Sequence, residues 1–283
     1  QAGRVGILGG SREYTGAPFY ASVSSMRLGC DMSFTFCSPE AAPALKTYSP
    51  DLIVQPLLDP EEDVEEVRKA FRGTFERLHS LVVGPGLGRD PKLQNLARVA
   101  IEEARAAELY LVVDADGLWL VQNDPKTVQG YKRAVLTPNV VEFGRLCDAM
   151  VRLWLTQNID RKDPNKTAQL LSEALGGVTI LEKGGVDRIA TPTEVAISDI
   201  EGGLKRCGGQ GDLLSGTLGT FLAWAQRYKE RGLTEIPEER LTLVAAYGAS
   251  SVTRMTSHIG FERMGRSMLT HDLLADIGTA YDR

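Results

Sequence analysis

Lys205-Arg-Cys-Gly-Gly-Gln-Gly-Asp-Leu-Leu214 decides how this chain is read. Gly208, Gly209 and Gly211 permit a tight loop whose main chain can approach a ligand closely. Directly after it, Leu213, Leu214, Leu218, Phe221 and Leu222 recur at helical spacing. A glycine loop that opens a helix is a ready anion site. The first-turn N–H groups lack partners there, and the helix dipole presents its positive end. Asp212 stands at the mouth of that site. A carboxylate beside phosphates is unfavourable, and the chemistry that calls for one is proton removal from a hydroxyl attacking phosphorus. The same residues also fit a plain helix start with Asp212 as its cap. On this stretch alone both readings stand.

Outward from it, short apolar runs alternate with longer amphipathic ones. Strand-like runs lie at residues 4–8, 32–37, 51–54, 81–83, 109–113, 134–136 and 178–181. Helical spacing marks residues 18–28, 61–78, 91–107, 166–175, 212–228, 237–255 and 269–280, with Asp90 as a cap for the third. Residues 189–197 read as a hairpin around Thr191-Pro-Thr-Glu194, and residues 156–166 as a polar surface excursion. Near-continuous apolar strands alternating with helices specify an α/β fold. The expected form is a mostly parallel central sheet with helices on both faces, a three-layer αβα arrangement. Its crossovers follow the right-handed rule. No linker divides the chain, so one domain spanning 1–283 is expected.

Five strand candidates end in glycine or polar residues: Gly9-Gly10, Gly84-Pro-Gly-Leu-Gly88, Asp114-Ala-Asp-Gly117, Pro138-Asn139 and Lys183-Gly-Gly185. Singly each is a turn. Together they line the rim where open parallel sheets bind ligands. Neither a G-x-G-x-x-G fingerprint nor a G-x-x-x-x-G-K-[ST] loop is present, which argues against a simple Rossmann or P-loop protein.

The chain has 283 residues, 43% of them hydrophobic and 24% charged, enough for a sizeable core without disulfide staples. A net charge of −5 lacks the basic footprint of a nucleic-acid binder. Cys30, Cys37, Cys147 and Cys207 are scattered, and only three histidines occur, so no zinc pattern appears and reduced thiols are expected. No stretch reaches the roughly 20 apolar residues of a membrane span. A cytoplasmic protein is expected. The chain opens at Gln1 just before a strand-like run, so it is silent on import; an upstream targeting segment would imply a mitochondrial form.

In this order the motifs resemble the ribokinase-like superfamily. Gly211-Asp212 matches its anion hole and catalytic aspartate, and Asn139-Val-Val-Glu142 its N-x-x-E motif. More narrowly the chain resembles the ATP-dependent NAD(P)H-hydrate dehydratases, the carbohydrate-kinase-domain family of eukaryotes. Gly9-Gly-Ser-Arg-Glu-Tyr-Thr-Gly-Ala-Pro18, Val83-Gly-Pro-Gly-Leu-Gly88, Val113-Asp-Ala-Asp-Gly117, Leu136-Thr-Pro-Asn139 with Glu142-Phe143, Lys183-Gly184 and Arg206-Cys-Gly-Gly-Gln-Gly-Asp212 carry that likeness. It spans almost the whole chain. The glutamine in the last motif points to eukaryotic members, where many relatives have threonine.

The resemblance implies repair of damaged nicotinamide cofactors: ATP-dependent dehydration of the S form of NADH hydrate and NADPH hydrate, giving ADP and phosphate. Hydroxide is a poor leaving group from carbon, whereas a phosphorylated hydroxyl leaves readily under push from the ring nitrogen. Asp212 would deprotonate the attacking hydroxyl, worth on the order of 10²–10⁴ in rate. Amides of the loop, Gly209 and Gly211 above all, would stabilise the transferred phosphoryl group. By the same resemblance the hydrate contacts Gly86, Asn139, Val140, Val141, Glu142, Phe143, Gly144, Arg145 and Asp212. ATP contacts Lys183, Gly184, Gly185, Val186, Asp187, Gly202, Gly203, Leu204, Lys205, Arg206, Cys207, Gly208, Gly209, Gln210 and Gly211. Mg²⁺ would be placed by Asn139 and Glu142 through water. A companion NAD(P)H-hydrate epimerase is implied. No nucleic acid or membrane partner is implied, and the oligomeric state stays open, although relatives often form homo-oligomers.

Other readings of the same residues stay open. Lys183 also reads as a solvated turn lysine, and Glu142 as a first-turn carboxylate favoured by the helix dipole. Asp114 and Asp116 read as a metal pair or, better, as an Asp-rich turn. Tyr14 either closes over substrate or packs a turn. Ala245, Ala246, Gly248 and Ala249 serve close helix packing rather than an adenine slot. A superfamily kinase for a sugar, a hydroxymethylpyrimidine or a thiazole alcohol would use the same Asp212. A nucleotide-sensing scaffold without turnover is the non-enzymatic alternative.

Overall fold

The computed structural model describes residues 2–153 and 161–283. In it β1 (Arg4–Leu8), β2 (Met32–Phe36), β3 (Ile53–Gln55), β4 (Ser80–Val83), β5 (Tyr110–Val113), β6 (Ala134–Leu136) and β7 (Thr179–Glu182) run parallel. β8 (Asp187–Ala190) and β9 (Val195–Ser198) add an antiparallel hairpin to the far edge. The sheet order is β3-β2-β1-β4-β5-β6-β7-β8-β9. The chain therefore moves outward from β1 in one direction, then restarts at β4 on its other side. That junction is the topological switch point at which open α/β sheets bind ligands.

Helices α1 (Gly16–Leu28), α2 (Ala42–Tyr48), α3 (Val64–Phe75), α4 (Pro91–Ala106), α5 (Asp116–Asn123), α6 (Val140–Arg152) and α7 (Pro164–Ala174) fill most of the crossovers. α8 (Gln210–Glu230), α9 (Leu241–Met264), α10 (Thr270–Leu273) and α11 (Ile277–Tyr281) follow the sheet. The period-two alternation of a strand sorts side chains to the two faces. Leu81, Val83, Leu111 and Val113 join a core with Phe71, Leu96, Leu118, Leu146 and Leu171, so α3 to α7 cover one face. Val82, Tyr110 and Val112 join Ala21, Leu218, Leu222, Ala246 and Ala249, so α1, α8 and α9 cover the other. The three-layer αβα architecture follows.

Sequence explains the helix starts. Asp63, Asp90 and Asp163 each accept two main-chain N–H groups at the start of α3, α4 and α7. Capping by Asp63 begins the third helix at Val64, later than the charged pattern from residue 61 indicates. Residues 156–160 of the expected polar excursion lie outside the described residues, and its end is already helix α7. The 237–255 helix begins as a 3-10 turn and extends to Met264, while 269–280 breaks into α10, a second 3-10 turn and α11. Gly248 sits where a Cβ would be 3.1 Å from the Phe221 ring, which makes the small-residue stretch of α9 a packing surface. Gly216 plays the same part in α8: a Cβ there would strike the Ala21 carbonyl oxygen, so glycine lets α8 lie directly on α1. Among the described residues no helix is long and apolar enough to cross a membrane.

Candidate active site

The N-terminus of α8 is reached by a loop that other elements hold in place. Gly209 is its N-cap in the left-handed region, with φ 97°. A Cβ there would stand 2.9 Å from Thr270 Cγ2 and 3.0 Å from Tyr20 Cδ2, so glycine is required on both counts. The Thr270 hydroxyl donates to the Gly208 carbonyl at 2.5 Å, which leaves the Cys207 thiol to donate to Thr270 Oγ1 at 3.2 Å. Lys205 Nζ donates to the Met268 carbonyl at 2.6 Å. Gln210 Nε2 bridges the Lys205 carbonyl and Ser257 Oγ, both at 3.3 Å, and the Gly203 amide donates to the same Oγ at 3.2 Å. Loop carbonyls and side chains are thus tied down from α9 and α10. Among the described residues the Gly208 and Gly209 amides donate to no protein acceptor, and Gln210 and Gly211 contribute the open amides of a helix start. The result is a rigid set of donors with nothing to donate to, which is what an anion needs.

Half-buried Asp212 lies in the first turn of α8. Facing that turn, Lys183 Nζ meets Asp114 Oδ1 at 2.8 Å. The pair closes on the helix start, because a Cβ on Gly211 would lie 3.6 Å from Lys183 Nζ and 3.8 Å from Asp114 Oδ2. Desolvation, then the Asp114 carboxylate, lifts the Asp212 pKa well above the usual carboxylate range, against the pull of Lys183. Burial works against the Lys183 ammonium, yet the neighbouring Asp114, Glu142 and Asp212 carboxylates keep its pKa above the ordinary lysine value. A carboxylate with raised proton affinity, beside a cation and free amides, has the makings of a general base for attack on phosphorus.

Asn139 and Glu142 form a capping box: Asn139 Oδ1 accepts from the Val141 and Glu142 amides at 3.0 and 3.1 Å, and Glu142 Oε2 accepts from the Asn139 amide at 2.9 Å. The helix-start reading of Glu142 therefore holds, and its nearness to Lys183 also puts it at the site. A main-chain bridge between Asn139 and Lys183 brings the two rim segments together. Val140 and Val141 are exposed at the start of α6, at 62% and 61%. The Phe143 side chain is buried in the core, because successive side chains of a helix fan around its axis. Gly144 and Arg145 continue α6 past its rim turn, and the Gly144 carbonyl accepts from Arg161 at 3.2 Å.

Asp187 is engaged within the protein. Its carboxylate accepts from the Gly184 amide, Arg254 and Ser250 at 3.0, 3.1 and 2.7 Å, so it tethers the Lys183-Gly184-Gly185-Val186 turn to α9. Arg254 also donates to the carbonyls of Gly184, Gly185 and Ile200, pinning this turn beside the strand that leads to Gly202 and Gly203. Leu204 and Arg206 are exposed on the loop. Gly86, at φ 63°, passes beneath Tyr14, whose carbonyl would lie 2.6 Å from a Cβ there. Asp116 accepts from the Gly88 amide at 2.9 Å and from Arg89 at 3.3 Å, so it holds the Gly84-Pro-Gly-Leu-Gly88 loop rather than pairing with Asp114 on a metal. A cleft of about 1030 Å³ opens at the switch point, bordered by Ser11, Tyr14, Ser38, Gly88, Arg89 and Asp116. Asp212 is not among its lining residues.

Asp114, Ser257, Thr270 and Arg254 complete the site, and none of them was among the expected ligand contacts. Only Asp114 carried a signal, as a carboxylate ending a buried strand.

Residues 5–277 match the family model described as NAD(P)H-hydrate dehydratase. The ATP-dependent (S)-NAD(P)H-hydrate dehydratase of Mycosarcoma maydis is 52% identical, over 100% of this chain and 82% of that protein. A ribokinase-like superfamily protein from Enterococcus faecalis superposes with TM-score 0.74 at 20% identity, over 99% of this chain and 87% of that one. An ADP/ATP-dependent NAD(P)H-hydrate dehydratase from Bacillus subtilis, co-crystallised with ATP/Mg²⁺, superposes with TM-score 0.68 at 20% identity, over 100% of this chain and 90% of that one. With the ribokinase-like architecture in place and half of its residues shared with such a relative over its full length, this chain belongs to the NAD(P)H-hydrate dehydratase family.

Proposed function

We propose that this chain repairs hydrated nicotinamide cofactors, using ATP to dehydrate the S form of NADH hydrate and NADPH hydrate with release of ADP and phosphate. One observation carries the chemistry: a carboxylate of raised proton affinity, Asp212, lies in the first turn of α8, whose N-cap is a left-handed glycine with an amide that meets no acceptor among the described residues. The loop amides from Gly208 to Gly211 hold the terminal phosphoryl group. Asp212 takes the proton from the hydrate hydroxyl as its oxygen attacks the γ-phosphorus. The phosphorylated oxygen then leaves as phosphate, driven by the ring nitrogen lone pair, and loss of a neighbouring proton restores the dihydropyridine. Lys183 offsets charge on the nucleotide. The hydrated ring lies between Asp212 and the Gly86 and Val140-Val141 rim, and the switch-point cleft takes the remainder of the dinucleotide.

Among the described residues no cluster of three or more His, Cys, Asp or Glu side chains could hold a metal ion. The residues present fit a Mg²⁺ that arrives on the nucleotide. Glu142 and Asn139, oriented by their capping box, would be the residues to hold such an ion, through water. Bound there, the ion would neutralise developing phosphate charge.

We also infer that residues 1–283 act as one domain, because one sheet runs through them. The family's preference for the S form calls for an epimerase as functional partner. Cysteines unpaired in disulfides among the described residues fit a reducing compartment such as the cytoplasm, with a mitochondrial form where a targeting segment precedes Gln1.

Incubation with ATP, Mg²⁺ and hydrated NADH, followed by near-ultraviolet absorbance of the dihydronicotinamide, tests the reading. Recovery of that band with stoichiometric ADP supports it. Folded, ATP-binding protein that restores no absorbance, and instead phosphorylates a sugar or a thiazole alcohol, would replace it with a kinase.

A further inference from the structure

The Lys183–Asp114 ion pair poses a problem for a phosphate site. Asp114 is buried, with 3% of its side chain exposed. Its Oδ2 makes no hydrogen bond among the described residues, and it lies against the first turn of α8. A bare carboxylate in that place repels every phosphate oxygen that approaches the loop amides. Lys183 has the opposite weakness. Its head is a point charge on a flexible four-carbon stem, able to swing to Glu142 or Asp212, both of which also act on it. The 2.8 Å contact removes both difficulties: it gives the ammonium one location and cancels the carboxylate's field.

We propose that Asp114 is a positioning residue that acts through Lys183. It holds the ammonium at the mouth of the glycine loop, while Lys183 masks Asp114 from the incoming nucleotide. Asp114 approaches from the end of β5, Lys183 from the end of β7, Glu142 from α6, Tyr20 from α1 and Asp212 from α8. The proposal rests on the nucleotide site assigned above but not on the hydrate.

It predicts that the two residues do not act additively. Lys183→Met does more than remove a cation, because it uncovers a buried carboxylate at the phosphate mouth. Asp114→Asn in the same protein removes that carboxylate. ATP affinity is measured by isothermal titration calorimetry for the unaltered protein, Asp114→Asn, Lys183→Met and the double variant. Thermal melts confirm folding, and steady-state rates are taken in parallel. For Asp114→Asn the turnover number should fall on the order of 10²-fold through misplaced Lys183, with ATP affinity unchanged or tighter. Lys183→Met should bind ATP at least tenfold more weakly, and the double variant should regain a severalfold part of that loss. If the asparagine packs poorly, Asp114→Ser, equally uncharged and smaller, is read in the same way. The proposal is overturned if the double variant binds ATP no better than Lys183→Met, or if Asp114→Asn weakens ATP binding and leaves turnover intact. The affinities need no hydrate, so failure of the dehydratase reading leaves this result standing.

Discussion

Replacing Gly209 by alanine adds one methyl group at the tightest point of the loop. The residue sits at φ 97°, where an L side chain is strained, and the added Cβ lies 2.9 Å from Thr270 Cγ2 and 3.0 Å from Tyr20 Cδ2. The left-handed conformation alone costs about 1–2 kcal/mol for a non-glycine residue. If the loop keeps its shape, that cost appears as lost stability, about 2–4 °C of melting temperature per kcal/mol in a protein approaching this size. If the loop relaxes, the Gly209 and Gln210 amides turn away and ATP must restore them, so the same 1–2 kcal/mol appears as roughly 5–30-fold weaker ATP binding. Rate suffers more, because loss of one preorganised donor costs on the order of 10²–10³. Calorimetric titration with ATP, a thermal melt and a dehydration assay on one preparation separate these effects. The expected result is a turnover loss of at least 10²-fold with a lowered melting temperature or weakened ATP binding. A protein with unchanged ATP affinity and unchanged turnover would refute the assignment of this loop as the phosphate cradle.

Asn139→Ala removes the oxygen that accepts two amides at the start of α6, and should cost about 0.5–2 kcal/mol in chemical denaturation together with a turnover loss, since Val140 and Val141 lose their anchor. Gly216→Ala drives a methyl group into the Ala21 carbonyl and should destabilise by about 1–3 kcal/mol, with the ATP affinity of the folded protein retained. Asp212→Asn should raise the melting temperature near neutral pH. The sign follows from the raised folded-state pKa of Asp212: at acid pH both states are protonated and the variant gains nothing, and as pH rises through that pKa the native protein alone carries a burdened charge. Melts across pH check this, and a gain that is largest in acid would contradict it.

Much of this is legible in the sequence because it depends on local rules. Leu81-Val82-Val83 and Leu111-Val112-Val113 read as buried strands since both faces are covered, and alternation then assigns each residue to its core. Gly209 is legible because a left-handed residue at a helix start demands glycine. Long-range partnership is what the chain hides. Asp114 and Asp116 have the same chemistry two residues apart. Ala115 between them has φ 48°, and one carboxylate turns to Lys183, 69 residues away, while the other turns to Gly88. Phe143 and Asp187 show a related effect. A run of adjacent residues belongs to a ligand-facing segment, yet only some of its side chains can face the ligand. Thr270 and Ser257 hold the loop by ordinary hydroxyls that no spacing rule distinguishes.

The most direct test of the mechanism is single-turnover dehydration by Asp212→Asn, with ATP affinity measured on the same sample. The account predicts ATP bound about as well as before, and restoration of the dihydronicotinamide slowed on the order of 10²–10⁴-fold. Restoration at the native rate would show that another group removes the proton and that the carboxylate at the head of α8 is a helix cap and nothing more.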